Sequence, residues 1–95
     1  MATTVGLLHL VLAVPQAMSL KDKRRSVKSF KDRVRNRHNA SVAEVDSLDN
    51  PKRAVLAVTV VGNDRRHLEG VLNAMVTLAG MDREMLLTDT TMEWL

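Results

Sequence analysis

Between Lys21 and Arg37 the chain carries nine basic side chains against Asp22 and Asp32, a local surplus of seven positive charges within a net charge of only +3. The rest of the chain is therefore net acidic. On a helix at 100° per residue, Lys21, Arg24, Arg25, Lys28, Lys31 and Arg35 share about a third of the circumference. An ordinary solvated helix face mixes signs, so that pairs three or four residues apart attract. Here like charges recur at that spacing, with Asp32 the one acid in the stripe, as a surface that follows phosphates requires. Lys21 and Lys23 also stand in the first turn, where the helix dipole disfavours cations and a bound anion would relieve them. Lys23 falls near the middle of the apolar face, between Leu20 and Val27, where snorkelling over the core edge is the alternative reading. A second basic group, Asn63-Asp64-Arg65-Arg66-His67, opens another helical pattern. In an antiparallel helix pair it lies at the same end as Arg35, Arg37 and His38 and extends the basic surface around the corner.

Other chemistries find little support. His9, His38 and His67 are scattered and lack metal-ligand spacing. Glu44 and Asp46, two apart on a strand, share a face as a carboxylate pair; a solvated pair that discourages edge aggregation is the plainer reading. Asp64 reads as a helix cap rather than a catalytic acid. The absence of cysteine removes disulfides, thiol nucleophiles and Cys-ligated metal centres. Phe30 and Trp94 are the only aromatic residues, too few for base stacking across a sheet. No catalytic residue, cofactor or metal is expected.

The elements that position these groups follow from patterning. Ninety-five residues suit one domain, 1–95. Val5 to Val14 is a nearly all-apolar strand, central in character and ended by Pro15. Leu8, Leu10, Leu12 and Val14 are expected to face the core, leaving Leu7, His9, Val11 and Ala13 on the other side. At about half the length a bilayer span needs, and with no positive segment before it, this stretch is expected to be neither a membrane span nor a signal peptide, so the cytoplasm is expected. Ser19 caps a helix to about His38, with Asp22 in capping-box position and Leu20, Val27, Phe30 and Val34 on one face. Ser41–Asp46 is a polar edge strand, whose facing stays open because Val42 and Val45 lie on opposite sides unless a bulge intervenes. Ala54–Val61 is a second central strand. Asn63 or Asp64 caps a second helix, with Leu68, Val71, Leu72, Met75, Leu78 and Ala79 as its apolar stripe and Gly80 as its C′ residue. Met85–Leu95 is the last strand, with Leu86, Thr88, Thr90, Met92 and Trp94 on one side. The order βαββαβ predicts an α+β ferredoxin-like sandwich, an antiparallel sheet of strand order 4-1-3-2 with two helices on one face. Acylphosphatases share that topology, but Pro15-Gln16-Ala17-Met18 replaces their phosphate-cradling loop.

Three runs in order, Ser19-Leu20-Lys21-Asp22-Lys23-Arg24-Arg25, Ser41-Val42-Ala43-Glu44-Val45-Asp46 and Asn63-Asp64-Arg65-Arg66-His67, make the chain resemble the YlxP-like family, small bacterial domains of unknown function. The resemblance implies a ferredoxin-like fold, a bacterial cytoplasmic origin and, from genes commonly neighbouring translation and ribosome-maturation genes, work connected with RNA or the ribosome.

The expected function is thus a non-catalytic RNA-binding or ribosome-associated module. It contacts the phosphate backbone through Lys21, Lys23, Arg24, Arg25, Lys28, Lys31, Arg35 and Arg37 of the first helix, joined by Arg65 and Arg66. The alternative is a dimeric regulatory or scaffold domain that binds a small ligand or a protein. A homodimer is expected in either case, with Leu7, His9 and Val11 in its interface, because two helices cover only one face of such a sheet and the other is rich in aliphatic side chains.

Overall fold

Strict alternation along Thr4–Ala13 makes β1 a strand with two different faces: Leu8, Leu10 and Leu12 are wholly buried while Leu7, His9, Val11 and Ala13 are half-buried. The computed structural model describes residues 2–95. It runs β1, α1 (Leu20–Arg37), β2 (Ser41–Asp46), β3 (Arg53–Gly62), α2 (Arg65–Gly80) and β4 (Leu86–Trp94). The four strands form one antiparallel sheet in the order β2-β3-β1-β4. This is the expected ferredoxin-like arrangement, with the two most apolar strands in the middle. α1 lies against β2 and β3, and α2 against β1, β3 and β4. Phe30 and Val34 of α1 and Leu72 and Met75 of α2 are fully buried with Leu8, Leu10, Leu12, Leu56 and Val58 of the sheet. Each such leucine contributes about 1.5–3 kcal/mol relative to an exposed one.

Both helices start where their caps dictate. The Ser19 hydroxyl accepts the Asp22 amide at 3.1 Å, satisfying a donor the helix leaves free, and the Asp22 carboxylate reaches back past the cap to accept the Met18 amide at 2.9 Å. Asp64, rather than Asn63, caps α2 by accepting the His67 amide. The end of α2 differs from expectation. Gly80 is its last helical residue, no glycine has a positive φ, and Met81 closes the helix in the right-handed region with its amide directed at the carbonyls of Thr77, Leu78 and Ala79. A tightened last turn does here what a left-handed glycine does elsewhere.

Two bulges change which residues share a face. In β2 the register slips between Glu44, opposite Leu56, and Asp46, opposite Val55. Val45 is the extra residue, so Val42 and Glu44 face the helices while Asp46 faces away. The carboxylate pair expected from their spacing is therefore split between the two sides of the sheet. In β4 the slip falls between Asp89, opposite Val11, and Leu87, opposite Leu12, with Thr88 extra. Leu87 takes the helix side and Leu86 is exposed on the other, the reverse of the uninterrupted alternation.

Gly6 and Gly70 separate two roles of glycine. A Cβ on Gly6 would sit 2.9 Å from both Leu72 Cδ1 and Trp94 Cζ3, whereas one on Gly70 meets nothing within 4 Å. Gly6→Ala is expected to lower stability by about 1–3 kcal/mol through overpacking, and Gly70→Ala, in an exposed helix interior, to raise it by about 0.5–1 kcal/mol. Urea unfolding midpoints at constant slope measure both; an unchanged midpoint for Gly6→Ala would contradict the close packing of Trp94 over β1.

Candidate nucleic-acid interface

The surface of α1 is set by which side of it meets the sheet. Val27, Phe30 and Val34 point inward. On one flank Ser26 donates to Glu84 at 2.5 Å, and Arg33 pairs with Asp82 while its guanidinium lies over the Phe30 ring, so this side is tied to the loop after α2. The opposite flank borders the β2 edge, where Arg35 donates to the Val42 carbonyl at 3.1 Å. Along it stand Lys21, Arg24, Lys28 and Arg35, all exposed, and the half-buried Lys31. Lys28 pairs with Asp32 at 2.9 Å, and Arg25, further round, approaches Asp22 at 3.7 Å. Lys21, Arg24 and Lys31 have no acidic partner among the described residues. Lys21, Arg24, Lys28, Lys31 and Arg35 thus form one outward flank, about 20 Å long at 1.5 Å per residue, with Arg25 of the expected row turned off it.

Lys23 does not belong to it. Its side chain has no exposed surface, and Nζ lies 2.8 Å from the Ser47 carbonyl, 3.3 Å from that of Leu48, 3.2 Å from that of Arg53 and 2.7 Å from Glu44 Oε2. An ammonium has three hydrogens. The three carbonyls take them, and Glu44 supplies the counter-charge without an aligned hydrogen bond. Lys23 is therefore withdrawn from any ligand and works as a tether between α1 and the β2–β3 turn, whose Ser47 is the one non-glycine residue with positive φ (58°) among those described. Its place on the apolar face was visible in the sequence, but its partner was not. Glu44 reaches the helix side because of the bulge at Val45.

At the far end of the sandwich the end of α1 and the start of α2 do come together. Arg37, His38 and Asn39 face Asn63, Asp64 and His67 across a cleft of about 480 Å³ floored by Val60, Leu68 and Val71. A shallower hollow lined by Arg35, Arg37, His38 and Asn39 joins this cleft to the basic flank. Arg65 turns away from the cleft and lies 4.9 Å above the Trp94 ring, a cation–π contact. Arg66 is exposed. The cleft-lining Asn39 and the Trp94–Arg65 stack carried no local sequence signal, since each depends on residues from separate elements. On the uncovered sheet face, Leu7, His9 and Val11 of β1 are half-buried beside Thr59, Ala57 and Val55 of β3. Among the described residues no group of three or more His, Asp or Glu side chains gathers as a metal site, and no helix is long and apolar enough to cross a membrane.

The family model described as "Protein of unknown function (DUF503)" matches residues 5–92. The chain belongs to the DUF503 family. No curated protein matches this DUF503 chain. Among solved structures, the de novo designed protein Foldit4 is similar in fold, with a TM-score of 0.54 and 13% identity over 97% of this chain and 96% of that one. A designed protein at that identity speaks for the architecture and not for a function.

Removing one partner of a buried ion pair strands the other. Lys23→Met is expected to destabilise the domain by about 3–5 kcal/mol, and adding Glu44→Leu to recover part of the loss. A double-mutant cycle by chemical denaturation measures the coupling; additive effects would show that Lys23 and Glu44 do not interact.

Proposed function

We propose that this DUF503 member is YlxP-like, a non-catalytic RNA-binding or ribosome-associated module of the bacterial cytoplasm. Its ligand is the phosphate backbone, met by the exposed flank of α1 and continued by Arg37 and Arg66 at the corner. The observation that carries the reading is the run of Lys21, Arg24 and Lys31 beside the β2 edge with no acidic partner among the described residues. Cations without an acidic partner along about 15 Å of rigid helix can follow several phosphates and release counterions when they bind them. With its two aromatic residues committed, Phe30 to the core and Trp94 against Gly6 and Arg65, the sheet offers no stacking platform. Shape and backbone contacts are then the expected mode.

A second reading, a dimeric regulatory or scaffold domain binding a protein or small ligand, is favoured by one observation. Leu7, Val11 and Ala13 form an aliphatic strip on the sheet face that no helix covers.

Each reading has its own test. RNA affinity should fall steeply with salt, and Lys21→Gln, Arg24→Gln and Lys31→Gln together should flatten the log–log slope by about 0.7–0.9 per lost contact. Negligible affinity at low salt, or an unchanged slope, overturns the first reading. For the second, light scattering should find a dimer at micromolar concentration that Leu7→Asp converts to a folded monomer; a monomeric unmodified protein overturns it.

A further inference from the structure

We propose that the cleft between the end of α1 and the start of α2 holds one unpaired ribonucleotide of the bound RNA. The inference rests on the phosphate-backbone reading and deepens it by naming what is recognised.

The cleft's chemistry is divided in the way a ribonucleotide is divided. One wall carries Arg37, His38 and Asn39. Arg37 differs from its neighbours Arg33 and Arg35, whose guanidiniums are held by Asp82 and the Val42 carbonyl; it is exposed and has no such partner among the described residues. The opposite wall carries Asn63, Asp64 and His67. The floor is aliphatic, formed by Val60, Leu68 and Val71, an apolar surface on which the face of a base can rest. At about 480 Å³ the space lies in the range of small-ligand sites.

Asp64 decides which anion fits. Two of the first α2 amides are already taken, since Asp64 Oδ1 accepts the His67 amide at 3.3 Å and the Asp64 carbonyl accepts that of Leu68 at 3.1 Å. A carboxylate in the cleft also disfavours a bare phosphate. It does accept hydrogen bonds from hydroxyls, and a ribose 2′-hydroxyl supplies one that deoxyribose lacks. The phosphate then belongs on the Arg37 side, the ribose at Asp64, and the base over Leu68 and Val71 with the Asn39 and Asn63 amides at its edge. The hollow from Arg35 to Asn39 places this site at the end of the cationic flank, where a backbone lying along α1 would deliver its next nucleotide.

Nuclear magnetic resonance titration of the whole protein tests this with adenosine 5′-monophosphate, its 2′-deoxy counterpart and inorganic phosphate at fixed ionic strength. Saturable shifts are expected at the amides of residues 37–39 and 61–68 with the ribonucleotide, weaker binding of the deoxynucleotide, and weakest of phosphate. Arg37→Gln should weaken both nucleotides about tenfold, the scale of a lost charge-assisted hydrogen bond. Asp64→Asn keeps a capping side chain and should erase the preference for ribose. The Lys21, Arg24 and Lys31 triple variant should bind the mononucleotide as the unmodified protein does while losing affinity for long RNA. Long RNA bound by the flank with no shifts at the cleft, equal binding of phosphate and nucleotide, or a ribose preference that survives Asp64→Asn would each overturn the cleft proposal while leaving the helix reading standing. Cleft binding of the mononucleotide without affinity for long RNA would overturn the helix reading and, with it, the placement of this nucleotide in an RNA.

Discussion

Leu8, Leu10 and Leu12 rise from one side of the central strand with no exposed surface, and the placement of every other element answers to that ridge. The helices lie on the leucine side, and the other side of β1, where His9 interrupts Leu7, Val11 and Ala13, is left half-buried. Two helices cannot wrap a four-stranded sheet, so the opposite face stays open. With α1 seated over β2 and β3, its one free flank is the outward one. The cationic row owes its accessibility to this geometry as much as to its composition.

Within that row, position decides what a lysine does. Lys23 and Lys21 are two residues apart, which turns them 200° from one another on the helix. One is fully buried and spends its three hydrogens on turn carbonyls; the other is exposed. The Lys23 tether also explains how Ser47 can hold a left-handed backbone. Its carbonyl is fixed by Nζ, its hydroxyl accepts from Arg53, and its amide donates to Asp46. Strain at one residue is held by contacts from three others.

The fold was readable because its signals are local. A two-residue period marked β1, cap residues marked both helix starts, and the alternation of element types left one plausible sheet order. What escaped was whatever depends on one added residue or on distant partners. A bulge leaves no mark in composition, so Glu44 and Asp46 looked like neighbours, and Leu86 looked like a member of the wrong face. Lys23 stood out as a charge on an apolar stripe, yet nothing near it in the chain named Glu44 or the turn. Gly80 had the residue type of a left-handed cap, but the helix closes on Met81 instead. The basic flank was legible as a helical pattern. The cleft was legible only as a meeting of two helix ends, because its walls come from residues 37–39 and 63–67 and its floor partly from β3.

The split edge of β2 has a colloidal consequence. Its outer backbone is unpaired, and an unpaired strand edge is a template for joining to another copy. The strand is only six residues long, is kinked at Val45, and lies beside a row of lysines and arginines. Two copies approaching edge to edge would bring like charges together, so the flank keeps free molecules apart. Edge-to-edge joining of two copies therefore depends on how strongly dissolved salt screens that row of charges, as well as on the shortness of the strand.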